Sequence, residues 1–336
     1  MADMQPQKID DKIKLLRYMD RVQGVMDGNF KPPILTDVDI VEGLCNLDCE
    51  WCCQRDSRES KSYLLMKPET MERIGPFCKN WGVKSWRIAG DSEPTMNKDL
   101  ATLLQSGHDA GIDMGLITNG TLLHRVGNLQ YLTWLGISLD ASTPETWSRL
   151  KHSPQGGFLK IMDNVRAIQK NYPGIEICLK YTRWSSALDV GKPELSLKGE
   201  QGLVSDNHAD AELFPELARQ LGVKHSIHDA FPKNPQYKFE TCRATPLYGT
   251  FGTDHKFYIC CDRRLKVPDK WVLTDDYTRD DWKELPKVWG SDKHKEMVSK
   301  IVPAGCTFCS KAWINTVLEN IVGDGKHTKD YQVSFI

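Results

Sequence analysis

The sequence has no long hydrophobic run and no excess of charge of either sign. No stretch approaches the roughly 20 apolar residues that a membrane-spanning helix requires, and the N-terminal MADMQPQKIDDKIK lacks the basic-then-apolar order of a secretion signal. We therefore expect a cytoplasmic protein. Lysine plus arginine total 44 and aspartate plus glutamate total 45, a formal net charge of -1. This balance favours a small-molecule substrate over nucleic acid or a membrane.

Internal repeats and low-complexity tracts are also missing from the 336 residues. Instead, short apolar runs alternate with amphipathic segments. Strands are predicted near 36–43, 84–89, 112–118, 134–140, 175–182 and 223–229, and helices near 9–26, 69–81, 97–110, 122–132, 144–151, 158–171 and 209–221. Six βα units predict an α/β fold, either a partial parallel barrel or an open doubly wound sheet.

The βα pattern stops beyond residue 231. A hairpin is predicted at 247–261, and helices near 291–300 and 307–322. We therefore divide the chain into an N-terminal covering helix (1–33), a βα region (34–230) and a smaller C-terminal unit (231–336). A long polar loop is predicted over 184–208, where a functional role is common for a loop of that length.

Cysteine is abundant, with 11 residues that fall mainly into two clusters. In an unexported chain, clustered cysteines more often hold metal or do chemistry than form disulfides. Cys45, Cys49 and Cys52 have the spacing C-x3-C-x2-C after the first predicted strand, and Cys53 follows directly. Three thiolates with no histidine nearby leave one position of a zinc tetrahedron open. They suit an iron–sulfur cluster with one free iron.

With Trp51 as its aromatic residue, this loop resembles the C-x3-C-x-aromatic-C signature of the radical S-adenosylmethionine (SAM) superfamily. The resemblance implies a partial (βα)6 barrel of the TIM type and a [4Fe–4S] cluster on Cys45, Cys49 and Cys52. The open iron would bind the amino and carboxylate groups of SAM. One electron from a protein such as flavodoxin or ferredoxin would then cleave SAM to a 5'-deoxyadenosyl radical.

Three further motifs stand at successive strand ends, in the order found in that family. AGDSEPT (89–95) resembles the Gly-Gly-Glu-Pro motif that holds the SAM amino group, with Asp91 and Ser92 where one glycine would be. ITNGT (117–121) and ISLDAS (137–142) would be an ordinary turn and helix cap if each stood alone. A barrel collects its active site at the carboxyl ends of its strands. The candidate SAM-binding residues are Trp51, Gly90, Asp91, Ser92, Glu93, Asn119, Ser138 and Asp140.

The second cysteine cluster lies in the C-terminal unit. Cysteines on a hairpin segment and a C-x2-C before the last helix would also suit zinc, as in a zinc ribbon. The arrangement resembles the twitch domain, a short form of the SPASM extension, although His255 replaces a glycine usual in its hairpin. The resemblance implies an auxiliary [4Fe–4S] cluster whose ligands are Cys242, Cys260, Cys306 and Cys309.

Cys261 stands next to the preferred ligand Cys260, and either of the two could be the ligand. As a free thiol, Cys261 is a candidate catalytic residue that donates a hydrogen atom to a substrate radical, the step that makes an epimerase. The alternative is that it only packs, as free cysteines commonly do. Cys78 and Cys178, in a predicted helix and strand, are expected in the core.

Candidate substrate contacts lie near the ends of the fifth and sixth predicted strands. They are Arg183, Trp184, His225, His228 and Asp229, with Arg263 and Arg264 as weaker candidates beyond Cys261. His225 and His228 are three positions apart, so on a strand they face opposite sides.

The resemblance implies an enzyme, a radical SAM oxidoreductase or epimerase acting on a small hydroxylated or amino-bearing metabolite such as a sugar, aminocyclitol or aminoglycoside. Radical modification of a ribosomally made peptide is the alternative, although the 44 residues before Cys45 leave little room for a peptide-binding domain. A non-catalytic zinc protein is the hypothesis of a different class.

Overall fold

The computed structural model describes residues 11–52, 62–90, 92–183, 207–229, 237, 239–261, 268–306 and 309–322. Its strands are β1 Leu35–Asp39, β2 Val41–Glu42, β3 Leu64–Leu65, β4 Ser85–Ala89, β5 Asp113–Thr118, β6 Trp134–Ser138, β7 Glu176–Arg183, β8 Lys224–Asp229, β9 Tyr248–Phe251, β10 Phe257–Tyr258 and β11 Val272–Thr274. Its α-helices are α1 Met19–Met26, α2 Pro68–Trp81, α3 Leu100–Ala110, α4 Pro144–Lys151, α5 Gly156–Asn171, α6 His208–Ala211, α7 Phe214–Leu221, α8 Arg279–Trp282, α9 Glu284–Val288, α10 Asp292–Ser299 and α11 Ala312–Val317.

The main sheet has the strand order β11-β10-β9-β1-β4-β5-β6-β7-β8. From β1 to β8 every neighbouring pair is parallel. Each new strand is added on the same side of the one before it, so the order never reverses as it does in a doubly wound sheet. The structure therefore confirms the α/β fold and favours the partial TIM-type barrel.

The six predicted barrel strands are confirmed, but one predicted helix is wrong. Between β5 and β6 the chain forms two short 3-10 turns, Leu123–Arg125 and Leu129–Tyr131, instead of a helix over 122–132. Asn128 between them adopts a left-handed φ of 62°. A residue in that conformation interrupts the helical hydrogen-bond ladder, even though the apolar spacing of the segment resembles that of a helix.

The parallel strands separate an outer side, covered by helices, from an inner side. Along β4, Trp86 and Ile88 are buried, and Trp86 packs against Gly107 of α3. Side chains alternate along a strand, so Arg87 points to the inner side, which we call the lumen. By the same alternation and the strand register, the lumen-facing residues include Asp37, Arg87, Ser138, Lys180, Ser226, His228 and Tyr248.

The predicted C-terminal hairpin continues this same sheet. β9 pairs in parallel with β1, and β10 pairs antiparallel with β9. The hairpin turns through His255, which adopts a left-handed φ of 65°, a conformation that glycine adopts without steric cost. Because β10 runs antiparallel to β1, the chain after Tyr258 heads toward the amino end of β1.

The two ends of the described chain pack together. Val22 and Val25 of α1 share an apolar cluster with Leu247, Ile314 and Leu318, and a π-helical segment, Leu318–Val322, follows α11. The covering helix predicted near 9–26 is thus present as a 3-10 segment, Asp11–Tyr18, followed by α1. None of the helices in the described ranges is long and apolar enough to cross a membrane.

His294 of α10 provides a test of stability against pH. The residue is fully buried, its Nδ1 accepts from the Gly290 amide at 3.0 Å, and burial lowers its pKa to about 3 from 6.5. The unfolded chain binds a proton near pH 6.5 and the folded chain only near pH 3, so acidification between these values favours unfolding.

Above pH 6.5, His294 is neutral in both states and does not change the free energy of unfolding. As the pH falls from 6.5 toward 3, only the unfolded chain binds the proton, so we expect the free energy of unfolding to decrease by an amount on the order of a few kcal/mol. The urea midpoint of the wild type should fall more steeply with acidification than that of His294→Leu. The variant is the control, because carboxylates titrate equally in both proteins. Parallel curves would show that His294 is not the sensitive group.

Candidate active site

The first cysteine cluster lies on a loop that starts at the carboxyl end of the sheet, after β2. The loop is held against the segment after β4, since the Leu44 amide donates to Ser92 Oγ at 3.0 Å and the Glu93 amide donates to the Leu44 carbonyl at 3.2 Å. Ser92, a candidate SAM-binding residue, therefore positions the residue directly before Cys45. Cys45, Cys49 and Cys52 are all partly exposed.

Glu93 connects the ends of two neighbouring strands. Its carboxylate accepts hydrogen bonds from Thr95 Oγ1 and Thr118 Oγ1, both at 2.6 Å, and from the Asn119 amide at 2.7 Å. Burial raises the pKa of the Glu93 carboxyl, and these hydrogen bonds oppose the rise. Three of its four protein hydrogen bonds fall on Oε1, so Oε2 retains room for one further donor.

Asn119 brings the motif after β5 to the cysteine loop. Its Nδ2 donates to Asn46 Oδ1 at 2.9 Å and lies 4.0 Å from Cys45 Sγ. Gly120 follows with a φ of +83°, and a Cβ there would lie 2.9 Å from Ile137 Cγ2. Glycine is therefore needed both for the backbone conformation and for the close approach of β6.

Lys151, at the end of α4, lies under the cysteine loop and was not predicted. Its ammonium forms an ion pair with Asp140 Oδ2 at 2.5 Å, with both side chains buried, and it lies 4.9 Å from the centre of the Trp51 ring. Burial alone would lower the pKa of Lys151, but Asp140, Cys49 and Cys45 together raise it. A buried cation therefore faces the thiols of the predicted cluster.

The backbone around Lys151 also fixes the loop. The Asp48 amide donates to the Lys151 carbonyl at 3.3 Å, and the Glu50 amide to the Leu150 carbonyl at 3.0 Å. The carboxyl end of α4 carries unsatisfied carbonyl groups, and the cysteine loop supplies their donors. Ser138 contributes its carbonyl to Lys151 Nζ at 3.3 Å.

Gly90 and Asp91 complete the motif after β4. Gly90 has a φ of +142°, and a Cβ at this position would lie 3.0 Å from Asp39 Oδ1. The backbone here therefore passes close to the end of β1, with no side chain in between. Asp91 lies outside the described residues.

The donor chemistry around the loop fits an anionic iron–sulfur cluster. Three thiols, an amide nitrogen next to Cys45 and a buried ammonium next to Cys45 and Cys49 would hold and partly neutralise such a group. In the described part of the chain, no three His, Cys, Asp or Glu side chains are already arranged around one metal position. The ligand sets therefore stay predictions.

Asn315 of α11 joins two of the predicted auxiliary ligands. Its Nδ2 lies 3.9 Å from Cys242 Sγ and 4.0 Å from Cys309 Sγ. Its Oδ1 accepts from the Arg243 and Ala244 amides at 2.7 and 2.9 Å. Because these two donors fix the oxygen, the NH2 group must face the sulfurs. Cys260 and Cys306 are partly exposed, and their membership of the set is a prediction.

Cys261 contacts lumen residues. Its Sγ lies 3.0 Å from Lys311 Nζ and 3.5 Å from Arg87 Nη2. Arg87 also binds both oxygens of Asp37, each at 2.7 Å. Burial opposes ionisation of Asp37, but Arg87 and Lys311 hold its pKa below its usual value. The side chain of Cys261 is thus directed at charged groups rather than packed in an apolar environment.

The predicted substrate contacts His225 and His228 lie on opposite sides of the sheet, because side chains alternate along a strand. His225 packs edge-on against Phe214 of α7, at 6.3 Å between ring centres, on the outer side. His228 faces the lumen, where burial and the charge of Lys180 lower its pKa. Arg183 Nε pairs with Asp229 Oδ1 at 2.5 Å. Trp184, Arg263 and Arg264 lie outside the described residues, as does Cys53.

A surface cleft of about 590 Å³ lies between α2 and residues 281–286. Phe77, Trp81 and Trp282 line it. None of the candidate site residues borders this cleft, so we do not assign it to the active site.

The sequence alone did not predict a role for Lys151, for Asn315 or for the Asp37–Arg87 pair. In the sequence, Lys151 is one basic residue at a helix end and Asn315 one polar residue in a helix, both common without any function. Register alone could have paired Asp37 with Arg87, since the two are directly opposite on β1 and β4.

Known proteins resemble this chain over the region that carries these motifs. A profile described as the radical SAM superfamily matches residues 41–181. A probable GTP 3',8-cyclase of Pyrococcus abyssi is 29% identical over 126 residues, which is 38% of this chain and 40% of that protein. Another of Methanococcus maripaludis is 25% identical over 207 residues, 60% of this chain and 61% of that protein. The matches thus cover less than two thirds of these relatives' own length.

A solved structure shows the same fold. Streptococcus suis SuiB bound to the precursor peptide SuiA aligns with a TM-score of 0.55 at 15% identity, over 90% of this chain and 74% of that chain. The family implies a [4Fe–4S] cluster and SAM as cofactors. The cysteine loop, the three motifs after β4, β5 and β6, and the matching profile identify residues 41–181 of this chain as a radical SAM superfamily domain.

Proposed function

We propose that this enzyme removes a hydrogen atom from a C–H bond of a small hydroxylated or amino-bearing metabolite of the sugar, aminocyclitol or aminoglycoside type. The product would be dehydrogenated or epimerised. The observation that most directly supports this proposal is the loop of Cys45, Cys49 and Cys52 at the carboxyl end of β1, with Lys151 and Asn119 beside its thiols. A cluster and SAM bound there would supply reductive SAM cleavage and a 5'-deoxyadenosyl radical.

The residues of the chain would bind and orient these groups. Oε2 of Glu93 has room to accept from the SAM amino group, and Gly90 leaves the backbone free of a side chain on the approach to Asp39. Trp51, Ser92, Asn119, Ser138 and Asp140 would shape the pocket around the cofactor. A flavodoxin or ferredoxin would deliver the electron.

The proposal includes an auxiliary [4Fe–4S] cluster on Cys242, Cys260, Cys306 and Cys309. Its support is that Asn315 directs one amide NH2 group at both Cys242 and Cys309. Donors to ligand sulfurs are a common way in which proteins set cluster potentials. With four protein thiolates this cluster would transfer electrons or support the fold.

Anaerobic purification and reconstitution test the proposal. We expect a brown protein with about eight iron atoms per chain, as two [4Fe–4S] clusters require, that forms 5'-deoxyadenosine from SAM only when a reductant is present. A colourless protein with about two zinc ions and no sulfide would instead support the structural-zinc hypothesis.

Replacing Cys261 with alanine separates epimerisation from dehydrogenation. In an epimerase, the Cys261 S–H bond breaks as the new substrate C–H bond forms, and one electron from the reductant plus one solvent proton restores the thiol. In D2O the wild-type product should then carry one deuterium, and the variant should lose epimer formation while still cleaving SAM.

Cys178→Ala, which removes a thiol from β7, is the matched control and should still give the deuterated epimer. Unchanged product without deuterium would exclude the donor role. It would agree with a Cys261 thiolate stabilised by Lys311 and Arg87, because neighbouring cations favour the anion.

The relatives point to a second candidate substrate. Proteins named GTP 3',8-cyclase act, by that name, on a nucleotide, and such a reaction would be a rearrangement. A ribosomally made peptide is the third candidate. Mass spectrometry of deuterium transfer into 5'-deoxyadenosine from labelled sugars, nucleotides and peptides would distinguish the three.

A further inference from the structure

Lys180 holds a charge inside the lumen. It lies on β7 between Leu179 and Tyr181, both fully buried on the helix side, so its own side chain points inward. It stands opposite Ser138 on β6 and Ser226 on β8. The ammonium is therefore on the same side of the sheet as Arg87 and His228, below the motifs that gather at the strand ends.

Unlike Lys151, Lys180 has no ion-pair partner in the part of the chain that the structure describes. Lys151 has Asp140 at 2.5 Å, whereas no carboxylate among the described residues pairs with Lys180 and no protein acceptor there bonds to its Nζ. Burial and then the charge of Arg87 lower the pKa of Lys180. These are the marks of a cation that is removed from water and repelled by a neighbour of the same sign.

The charge of Asp140 offsets part of this repulsion, but Asp140 is already paired with Lys151 and accepts from the Thr182 amide. Arg87 already binds both oxygens of Asp37, so the charge of the Asp37 carboxylate is neutralised by Arg87 and not by Lys180. Lys311 adds a further cation next to Cys261. Withdrawing an unpaired ammonium from water is costly, and a partly buried cation without a partner in an active site is a common mark of a binding position.

We propose that Lys180 is an anion-binding residue of the substrate site, and that the substrate carries a phosphate or carboxylate group. Anion binding by Lys180 follows from the lumen geometry, and only the identification of the anion with the substrate rests on the proposed function. A polycationic aminoglycoside would be repelled by Lys180 and Lys311. Among the proposed substrate types, an anionic hydroxylated metabolite therefore fits best.

Calorimetric titration with inorganic phosphate tests this on the full-length, anaerobically reconstituted protein, with and without SAM. Lys180→Met should weaken phosphate binding about tenfold or more, the usual worth of one charge-assisted hydrogen bond. Lys180→Arg keeps the cation and should retain most of the affinity. Lys170→Met, which removes an exposed lysine from α5, is the control and should bind like the wild type.

The outcomes separate the possible sources of the anion. Equal phosphate binding by wild type and Lys180→Met, with unchanged iron content and circular dichroism, would overturn the proposal. Weaker SAM binding with unchanged phosphate binding would assign Lys180 to the SAM carboxylate and overturn the substrate claim. Lys180-dependent phosphate binding by a protein that fails to cleave SAM would support the anion site and contradict only the proposed function.

Discussion

Replacing Cys49 with alanine is expected to abolish reductive cleavage of SAM. The proposed cluster has only three protein ligands, and alanine cannot bind iron, so the remaining two thiolates would not hold a cubane. Chromatography of anaerobic reactions containing dithionite should show 5'-deoxyadenosine at the background level of cluster-free protein. Iron content should fall by about four atoms per chain, the content of one [4Fe–4S] cluster.

Cys178→Ala is the matched control for this loss too. Cys178 is a buried cysteine of β7 outside both predicted ligand sets, so its removal should leave iron content and SAM cleavage unchanged. Wild-type cleavage by Cys49→Ala would show that the cysteine loop does not hold the cluster. Equal loss in both variants would point to damage to the fold rather than to a missing ligand.

Lys151→Met is expected to destabilise the protein severely. The substitution keeps much of the side-chain volume but leaves Asp140 as an unpaired carboxylate at 3% exposure. Breaking a buried ion pair by removing one partner costs about 3–5 kcal/mol. A urea titration of the metal-free protein, in which cluster loss cannot contribute, should show a large drop in the midpoint.

The double variant Asp140→Asn/Lys151→Met should recover much of this loss, because it removes the uncompensated charge while an amide oxygen can still accept from the Thr182 amide. Lys300→Met is the control, since Lys300 and Glu296 form an exposed pair with 62% and 65% of their side chains accessible. Surface pairs contribute about 1 kcal/mol at most. A Lys151→Met midpoint near that of Lys300→Met would show that Asp140 is solvated or protonated in the folded protein.

The sequence determined the six parallel strands and the order of their motifs. Short segments in which apolar residues recur at alternate positions are readable from local composition, and the cysteine spacing is a purely local property. All six strand predictions lie within a few residues of those observed, and the loop of Cys45, Cys49 and Cys52 lies where expected, at the carboxyl edge. The helix over 122–132 failed because Asn128 adopts a left-handed conformation that apolar spacing does not reveal.

Only the tertiary structure decided which charges meet. Asp140 and Lys151 can both be read in the sequence, but whether they pair beneath the cysteine loop depends on how α4 packs after β6. Likewise, Asn315 reaches Cys242 and Cys309 across 73 and 6 positions of chain. Among the residues that the structure describes, no carboxylate pairs with Lys180, because the neighbouring strands place Ser138 and Ser226 opposite it. Strand periodicity depends on near neighbours, whereas electrostatic contacts depend on distances that only the folded chain sets.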